Sequence, residues 1–307
     1  MSKMYYDKYF DHSCIVSKNR NERPHIEDDV HSCPFCVGNE SYIENIWLEE
    51  KDDKGNLLVR IINNKYPLCS EVGELYGIHD VVIDTPYHFD NPKNFSIDHW
   101  YRLLLCIKKR CQAILSDENI AFVQVFKNYG KLAGASIKHS HWQIAGLSEV
   151  PHTMVKHYNA YKKYNNKTCY ICEAIRNSNE RYIIYENDYW TSIAPKISSY
   201  QQETWLIPNK HIRDYQKLGD SELISLASLF KAILTAYNTI IPDMHYNICF
   251  ISAPKDQDID YHFLIKIIPR CSTIAGFEIA TGCYINVVDP ADHAQNLRKV
   301  LIKNEGS

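Results

Sequence analysis

The sequence has no surplus of basic residues, no long apolar run and no apolar signal core, and each absence excludes a class of function. Its 34 Lys and Arg are interspersed with 37 Asp and Glu, for a net charge of −3. Nothing resembles the basic footprint of a nucleic-acid binder, so no nucleic-acid partner is expected. No apolar run approaches the ~20 residues that cross a bilayer, so no membrane partner is expected either. The first residues, Met1-Ser2-Lys3-Met4-Tyr5-Tyr6, lack an apolar signal core, and the expected location is the cytoplasm. Eleven cysteines is an odd count, and in a reducing compartment it does not read as a disulfide framework.

Four of the cysteines form two Cys-x-x-Cys pairs, Cys33/Cys36 and Cys169/Cys172. The other seven (Cys14, Cys69, Cys106, Cys111, Cys249, Cys271 and Cys283) read as small buried apolar residues. An internal repeat carries the organisation. An offset of 123 residues places His88 on His211 and His139 on His262. Between those histidines each half predicts a helix. From Asp98 to Leu115, the residues Trp100, Leu103, Ile107, Cys111 and Ile114 form one stripe at helical spacing. The same offset lands them on Leu223, Leu226, Phe230, Leu234 and Tyr237, with Asp220 or Ser221 as the expected N-cap. Runs such as 80–84, 120–126, 182–185 and 263–268 predict strands. The polar stretch from Pro151 to Thr168 predicts a helix followed by the linker between halves. The expectation is an α+β fold with antiparallel sheets, divided into residues 1–150 and 151–307.

Two cysteines and two histidines make a full tetrahedral set for Zn²⁺, with no open position for water. The first set is Cys33, Cys36, His88 and His139; the second is Cys169, Cys172, His211 and His262. Both are expected to be structural, with the first zinc the better supported, since His211 in a Pro-Asn-Lys-His stretch also reads as a loop residue.

The halves diverge two residues past the last metal ligand. In an extended strand, residues i, i+2 and i+4 share a face, so His139, His141 and Gln143 are expected to point the same way. The repeat keeps His262 but puts Leu264 at the place of His141 and Lys266 at that of Gln143. A scaffold strand has no need of an imidazole at 141, so one half reads as catalytic and the other as support. The chemistry suggested is covalent phosphoryl transfer. A neutral imidazole attacks phosphorus and expels a phosphate, splitting one displacement into two. Gln143 can donate a hydrogen bond to a phosphoryl oxygen but cannot deliver a proton.

The chain resembles the galactose-1-phosphate uridylyltransferase family of the histidine-triad superfamily, including its ADP-glucose phosphorylase branch, from about Arg20 to Arg298. The markers are Arg20-Asn21-Glu22-Arg23-Pro24, Cys33-Pro34-Phe35-Cys36, Asn64-Lys65-Tyr66-Pro67, residues 77–83, residues 126–130 followed by 133–136, His139-x-His141-x-Gln143, and downstream 275–278 with 282–286. Their order and spacing are specific together. The resemblance implies two tandem histidine-triad-like modules, each a half-barrel of antiparallel strands with flanking helices. It implies that His141 forms a nucleotidyl-histidine and that Gln143 binds the phosphoryl oxygens. Arg20 and Arg23 would hold phosphates. Asn64 would sit near the nucleoside, Asn128 and Ser136 near the phosphates, and Glu278 near sugar hydroxyls. The implied partners are a nucleotide sugar and a sugar phosphate, and the family often forms homodimers. Two departures matter. Ser140 stands where the family usually has Pro, and Leu264-Ile265-Lys266 stands where the bacterial uridylyltransferases carry His-x-His.

The leading expectation is a ping-pong transferase moving a nucleoside monophosphate between a nucleotide sugar and a sugar 1-phosphate. A second keeps the intermediate but uses orthophosphate as acceptor, as an ADP-sugar or dinucleotide phosphorylase. A third, from another class, is a non-catalytic, zinc-stabilised nucleotide-binding protein.

Overall fold

The structure is a computed structural model, and it describes residues 2–23, 29–164, 169–176, 180–255 and 260–305. Pro24 of the arginine-bearing motif and residues 165–168 of the expected linker lie outside them.

Two short strands, β1 (Lys3–Asp7) and β2 (His12–Val16), pair with each other as a separate hairpin. The first half then supplies β3 (Ile46–Lys51), β4 (Leu57–Asn63), β5 (Gly77–Ile83), helix α1 (Ile97–Leu115), β6 (Phe122–Tyr129) and β7 (His141–Leu147). After α2 (His152–Tyr164) and α3 (Tyr170–Arg176), the second half supplies β8 (Ile183–Glu186), β9 (Trp190–Ile193), β10 (Thr204–Pro208), helix α4 (Asp220–Ile240), β11 (Tyr246–Ile251) and β12 (Leu264–Pro269). Two further helices follow, α5 (Gly276–Thr281) and α6 (Pro290–Glu305).

The strand order displays the repeat. One ten-stranded antiparallel sheet runs β3-β4-β5-β7-β6-β11-β12-β10-β9-β8, so each half contributes five strands in mirrored order and they meet at β6 and β11. The 123-residue offset carries the first residue of α1 onto the first of α4, and the first of β7 onto the first of β12. The expected boundary at residue 150 falls between β7 and α2, and the sheet is continuous across the two halves.

Both repeat helices bury the stripes that periodicity places inside. Trp100, Leu103, Ile107, Cys111 and Ile114 of α1 and Leu223, Leu226, Phe230, Leu234 and Tyr237 of α4 are all buried in one core with Trp142 and Ile144 of β7. Burying an apolar side chain of this size contributes roughly 1.5–3 kcal/mol, so the two stripes anchor the helix side of the sheet. Trp100 stacks on Phe230 with ring centroids 5.0 Å apart, which joins the two halves directly. Ser96 caps α1, its hydroxyl accepting from the His99 N–H at 3.0 Å. The N-cap of α4 is Gly219 rather than Asp220 or Ser221; the Glu222 carboxylate folds back to accept the Gly219 N–H at 3.0 Å. By length and composition α4 is apolar enough to cross a membrane. Here its apolar face is the core.

Alternation along β7 sends Trp142 and Ile144 into that core and His141 and Gln143 to the opposite face. There Val81 of β5 pairs with Gln143 and Ile83 with His141, and Val81 and Ile83 pack with Ile62, Cys33, Phe35, Cys36 and Ile137. Both faces of β7 are thus covered, and all seven of its residues are buried. Of the seven unpaired-motif cysteines, Cys69, Cys106 and Cys111 are buried, but Cys14, Cys271 and Cys283 are exposed. Cys14 points outward from the small β1–β2 hairpin, and the other two lie in loops around α5, where no core covers them.

Candidate active site

Two clusters of donor atoms form at corresponding places in the halves, each with its ligand atoms within 4.8 Å of one another. In the first, Cys36 Sγ lies 3.3 Å from His88 Nδ1 and 3.5 Å from His139 Nδ1, and Cys33 Sγ lies 3.6 Å from His139 Nδ1. In the second, Cys172 Sγ lies 3.3 Å from both His211 Nδ1 and His262 Nδ1, and Cys169 Sγ lies 3.7 Å from His262 Nδ1. A tetrahedron with metal bonds of about 2.0–2.3 Å has edges of roughly 3.3–3.8 Å, so these separations suit a single ion between the four donors. The outer partners agree. His139 Nε2 lies 2.7 Å from the Thr85 carbonyl and His262 Nε2 lies 2.9 Å from the Pro208 carbonyl. A carbonyl only accepts, so Nε2 carries the proton and Nδ1 is left with its lone pair for a metal. His211 turns its Nε2 to Asp260 at 2.9 Å. Both clusters can bind a metal ion.

His139 is not in a strand, contrary to the alternation argument; β7 begins at His141, and His139 sits in the bend before it. The bend frees the His139 ring to reach the cysteines and turns its carbonyl inward. That carbonyl lies 2.8 Å from His141 Nδ1. The proton of the neutral His141 ring is therefore on Nδ1, and Nε2 has no hydrogen-bond partner among the described residues. Burial, the largest influence, lowers the pKa of this ring to about 4, with Lys127 nearby adding to the effect.

The His141 ring opens onto a cavity of about 440 Å³. One part of its wall is apolar, from Phe35, Ile43, Ile62, Val81 and Ile137; Phe35 meets the His141 ring edge-on with centroids 5.1 Å apart. The other part is polar, with Arg23, Asn64, Ser136 and Gln143 beside His141. An apolar slot next to clustered donors suits a ligand with one apolar and one anionic part. Arg23 Nε is buried without a partner among the described residues, leaving its donor for a ligand.

Of the expected site residues, His141, Gln143, Arg23, Asn64 and Ser136 thus share one cavity. Arg20 lies behind the wall, donating from Nη1 to the Tyr66 carbonyl at 3.0 Å. Asn128 does not line the cavity; its Oδ1 accepts from Asn247 Nδ2 at 2.8 Å across the β6–β11 junction. Glu278 does not line it either. Its carboxylate accepts the Ala275 N–H at 3.1 Å at the start of α5.

Two residues beside the site escaped the sequence reading. His79 on β5 is buried with Nε2 3.1 Å from Gln143 Oε1. Lys127 on β6 is fully buried, and its ammonium reaches Asp84 at 2.6 Å, the Ser140 hydroxyl at 2.7 Å and the His141 carbonyl at 3.2 Å. Alternation offered one signal: His79, Val81 and Ile83 share a face.

In the second half the corresponding ground is filled. Leu264 packs with Cys169, Ile171, Ile193 and Ile207. Lys266 stands 3.6 Å from the buried Glu203 and over the Trp205 ring.

Fold and site together define a nucleotidyltransferase built on two repeated five-stranded antiparallel units. The chain belongs to the DUF4921 family, described as "Domain of unknown function (DUF4921)", which matches residues 76–306. It is 34% identical over 292 residues to the ADP-glucose phosphorylase of Arabidopsis thaliana, covering 88% of this chain and 82% of that one. It is 24% identical to the galactose-1-phosphate uridylyltransferase of Thermotoga maritima over 99% of this chain and all of the relative. Among solved structures, an Arabidopsis thaliana ADP-glucose phosphorylase with bound ADP-glucose superposes with a TM-score of 0.81 at 33% identity, covering 97% of this chain and 98% of the other.

Proposed function

We propose that this enzyme moves a nucleoside monophosphate from a nucleotide sugar to a phosphate-bearing acceptor through a covalent nucleotidyl-His141. The observation that carries the reading is the fixed tautomer of His141: Nδ1–H is held by the His139 carbonyl and Nε2 is free at the cavity wall. Nε2 attacks the α-phosphorus, a P–N bond forms, and the bond to the β-phosphate oxygen breaks to release a sugar 1-phosphate. The ring gains positive charge as the bond forms, and the His139 carbonyl accepting from Nδ1–H stabilises it. An acceptor oxygen then attacks the same phosphorus, the P–N bond breaks, and the neutral ring returns. Gln143 would donate to the phosphoryl oxygens, and Arg23, Ser136 and Asn64 would hold phosphates and nucleoside. Arg20, and at longer range Asn128 and Glu278, are the remaining candidate substrate residues. Residues 1–150 form the catalytic unit and 151–307 the supporting one.

Zn²⁺ suits both clusters, because two thiolates and two imidazoles at tetrahedral spacing are its preferred donors. Bound there, with no open position, it supplies rigidity rather than a reacting water.

In the leading form the acceptor is a sugar 1-phosphate. A second form, orthophosphate acting on an adenosine nucleotide sugar, is favoured by the greater identity to the plant phosphorylase and by Leu264 and Lys266 in place of His-x-His. One experiment tests both. The protein is incubated with ADP-glucose or UDP-glucose, and intact mass shows whether an AMP or UMP adduct forms. Release of the adduct by glucose 1-phosphate or by orthophosphate names the acceptor. His141→Ala is expected to form no adduct, and an adduct of wild-type yield in that variant defeats the mechanism.

A further inference from the structure

His141 on the cavity wall and His79, which reaches the wall residue Gln143, are held in opposite tautomers. His79 is 3% exposed on β5, and its ring nitrogens have different partners. The backbone N–H of Leu68 lies 3.0 Å from Nδ1. A backbone amide can only donate, so Nδ1 accepts and carries no proton. In a neutral ring the proton is then on Nε2. Burial, reinforced by the Arg20 guanidinium, pushes the pKa down to about 3 and keeps the ring neutral.

That tautomer decides which way the neighbouring amide faces. The His79 Nε2 lies 3.1 Å from the end of the Gln143 side chain. An Nε2–H needs an acceptor, so the atom facing it is Gln143 Oε1, and the NH₂ group is turned away from His79. The two ends of a glutamine amide are nearly the same size, so packing alone chooses poorly between them. Reversed, Gln143 would present a carbonyl to a phosphoryl oxygen, which repels it. Asn64 does not compete for this proton. Its Oδ1 is taken by the Tyr66 N–H at 2.9 Å, and the atom it turns to His79 at 3.4 Å is Nδ2, another donor.

We infer that His79 is a positioning residue for Gln143. Locked by the Leu68 amide as the Nε2–H form, it holds the Gln143 carbonyl and so aims the Gln143 NH₂ at the phosphoryl group being transferred. The inference rests on the proposed reading that Gln143 donates to that group.

The test is the single-turnover rate of adduct formation, with whichever of ADP-glucose and UDP-glucose forms it. The proteins compared are wild type, His79→Leu, His79→Gln, Gln143→Ala and the His79→Leu/Gln143→Ala double variant. Loss of one aimed donor is expected to slow the step on the order of 10²-fold. His79→Leu should approach that loss with little change in half-saturating substrate. His79→Gln, which puts an amide N–H close to the old Nε2, should recover most of the rate. In the Gln143→Ala background, His79→Leu should add less than about threefold, because its partner is already gone. A full, additive loss in that background overturns the inference, as does a wild-type rate in His79→Leu. A wild-type rate in Gln143→Ala alone overturns the reading of Gln143, and the inference falls with it. Should His79→Leu not fold, ¹⁵N-histidine spectra of the wild-type protein decide. An Nε2–H signature for the ring lost in His79→Gln supports the assignment, and an Nδ1–H signature overturns it.

Discussion

The carbonyl oxygen of His139 lies 2.8 Å from Nδ1 of His141, and the ring of the same His139 belongs to the first metal cluster. A single residue would therefore tie a metal bound there to the aim of the His141 ring. The coupling is mechanical. With a metal on His139 Nδ1 and the Thr85 carbonyl on Nε2, the bend before β7 would have little freedom, and its carbonyl direction would be set.

This relation separates the two clusters experimentally. Wild-type protein is expected to carry two zinc ions per chain by elemental analysis. Cys33→Ser should lose one and slow adduct formation by on the order of 10- to 100-fold, because the His139 carbonyl is no longer held. Cys169→Ser should also lose one and unfold at lower temperature, yet keep its adduct rate within a fewfold of wild type. Equal kinetic losses in the two variants would show that the first metal has no special hold on His141.

Lys127 offers a second test, from behind the strand. Its ammonium and Asp84 are both fully buried, 2.6 Å apart, and the ammonium also donates to Ser140. Removing one partner of a buried pair leaves an uncompensated charge, which costs about 3–5 kcal/mol. Lys127→Met is expected to lower stability to urea by that order. Lys127→Met/Asp84→Asn should be more stable than the single variant, since no charge is stranded. A double variant less stable than Lys127→Met would contradict the pairing. The same contact gives Ser140 a use: its hydroxyl receives a proton donor that a proline at that position could not accommodate.

Much of this arrangement was legible in the residues, and the division is physical. Metal ligands announce themselves by type and spacing, and a common offset for His88/His211 and His139/His262 showed which elements repeat. Comparing the halves then isolated His141, because a position that changes from imidazole to leucine on a kept scaffold is free of structural demand. Packing partners leave no such trace. Lys127 looks like a solvated strand lysine until β7 covers it, and His79 looks like a strand filler until Leu68 and Gln143 are brought to its two nitrogens. Asn128 and Glu278 show the reverse. Both belong to recognisable motifs, and in this chain their side chains engage Asn247 and the Ala275 amide instead of the cavity.

Acid sensitivity follows from another buried ring. His293 on α6 is buried with Nε2 3.0 Å from the Thr204 hydroxyl and 3.2 Å from the Tyr237 hydroxyl, and burial lowers its pKa to about 4. The unfolded chain, with a histidine pKa near 6.5, binds this proton more readily than the folded one between about pH 6.5 and 4. Stability is therefore fully present above that window and falls as the pH falls through it, by on the order of 2 kcal/mol between pH 7 and 5 for one such ring. Urea titrations at the two pH values should show the loss in wild type and a smaller one in His293→Gln. Equal losses would place the His293 pKa near its ordinary value.

The second half supplies a test of what makes the first half reactive. Leu264 stands where the repeat puts His141, two residues after the metal-cluster residue His262, so the carbonyl that would orient a ring is retained there. What is missing is space. Leu264 is sealed by Ile171, Ile193 and Ile207, and the place of Gln143 is held by Lys266, paired with Glu203 and laid over Trp205. Leu264→His in a His141→Ala background is therefore expected to form no adduct by intact mass, even with its metal cluster intact. It should also lose about 1–3 kcal/mol of stability to urea, the cost of a polar ring buried with one nitrogen unpaired. An adduct on residue 264 would mean that a metal-anchored carbonyl alone is enough to make a nucleophile. If none forms, the open cavity beside His141 is the second requirement, and it is the one the supporting half has given up.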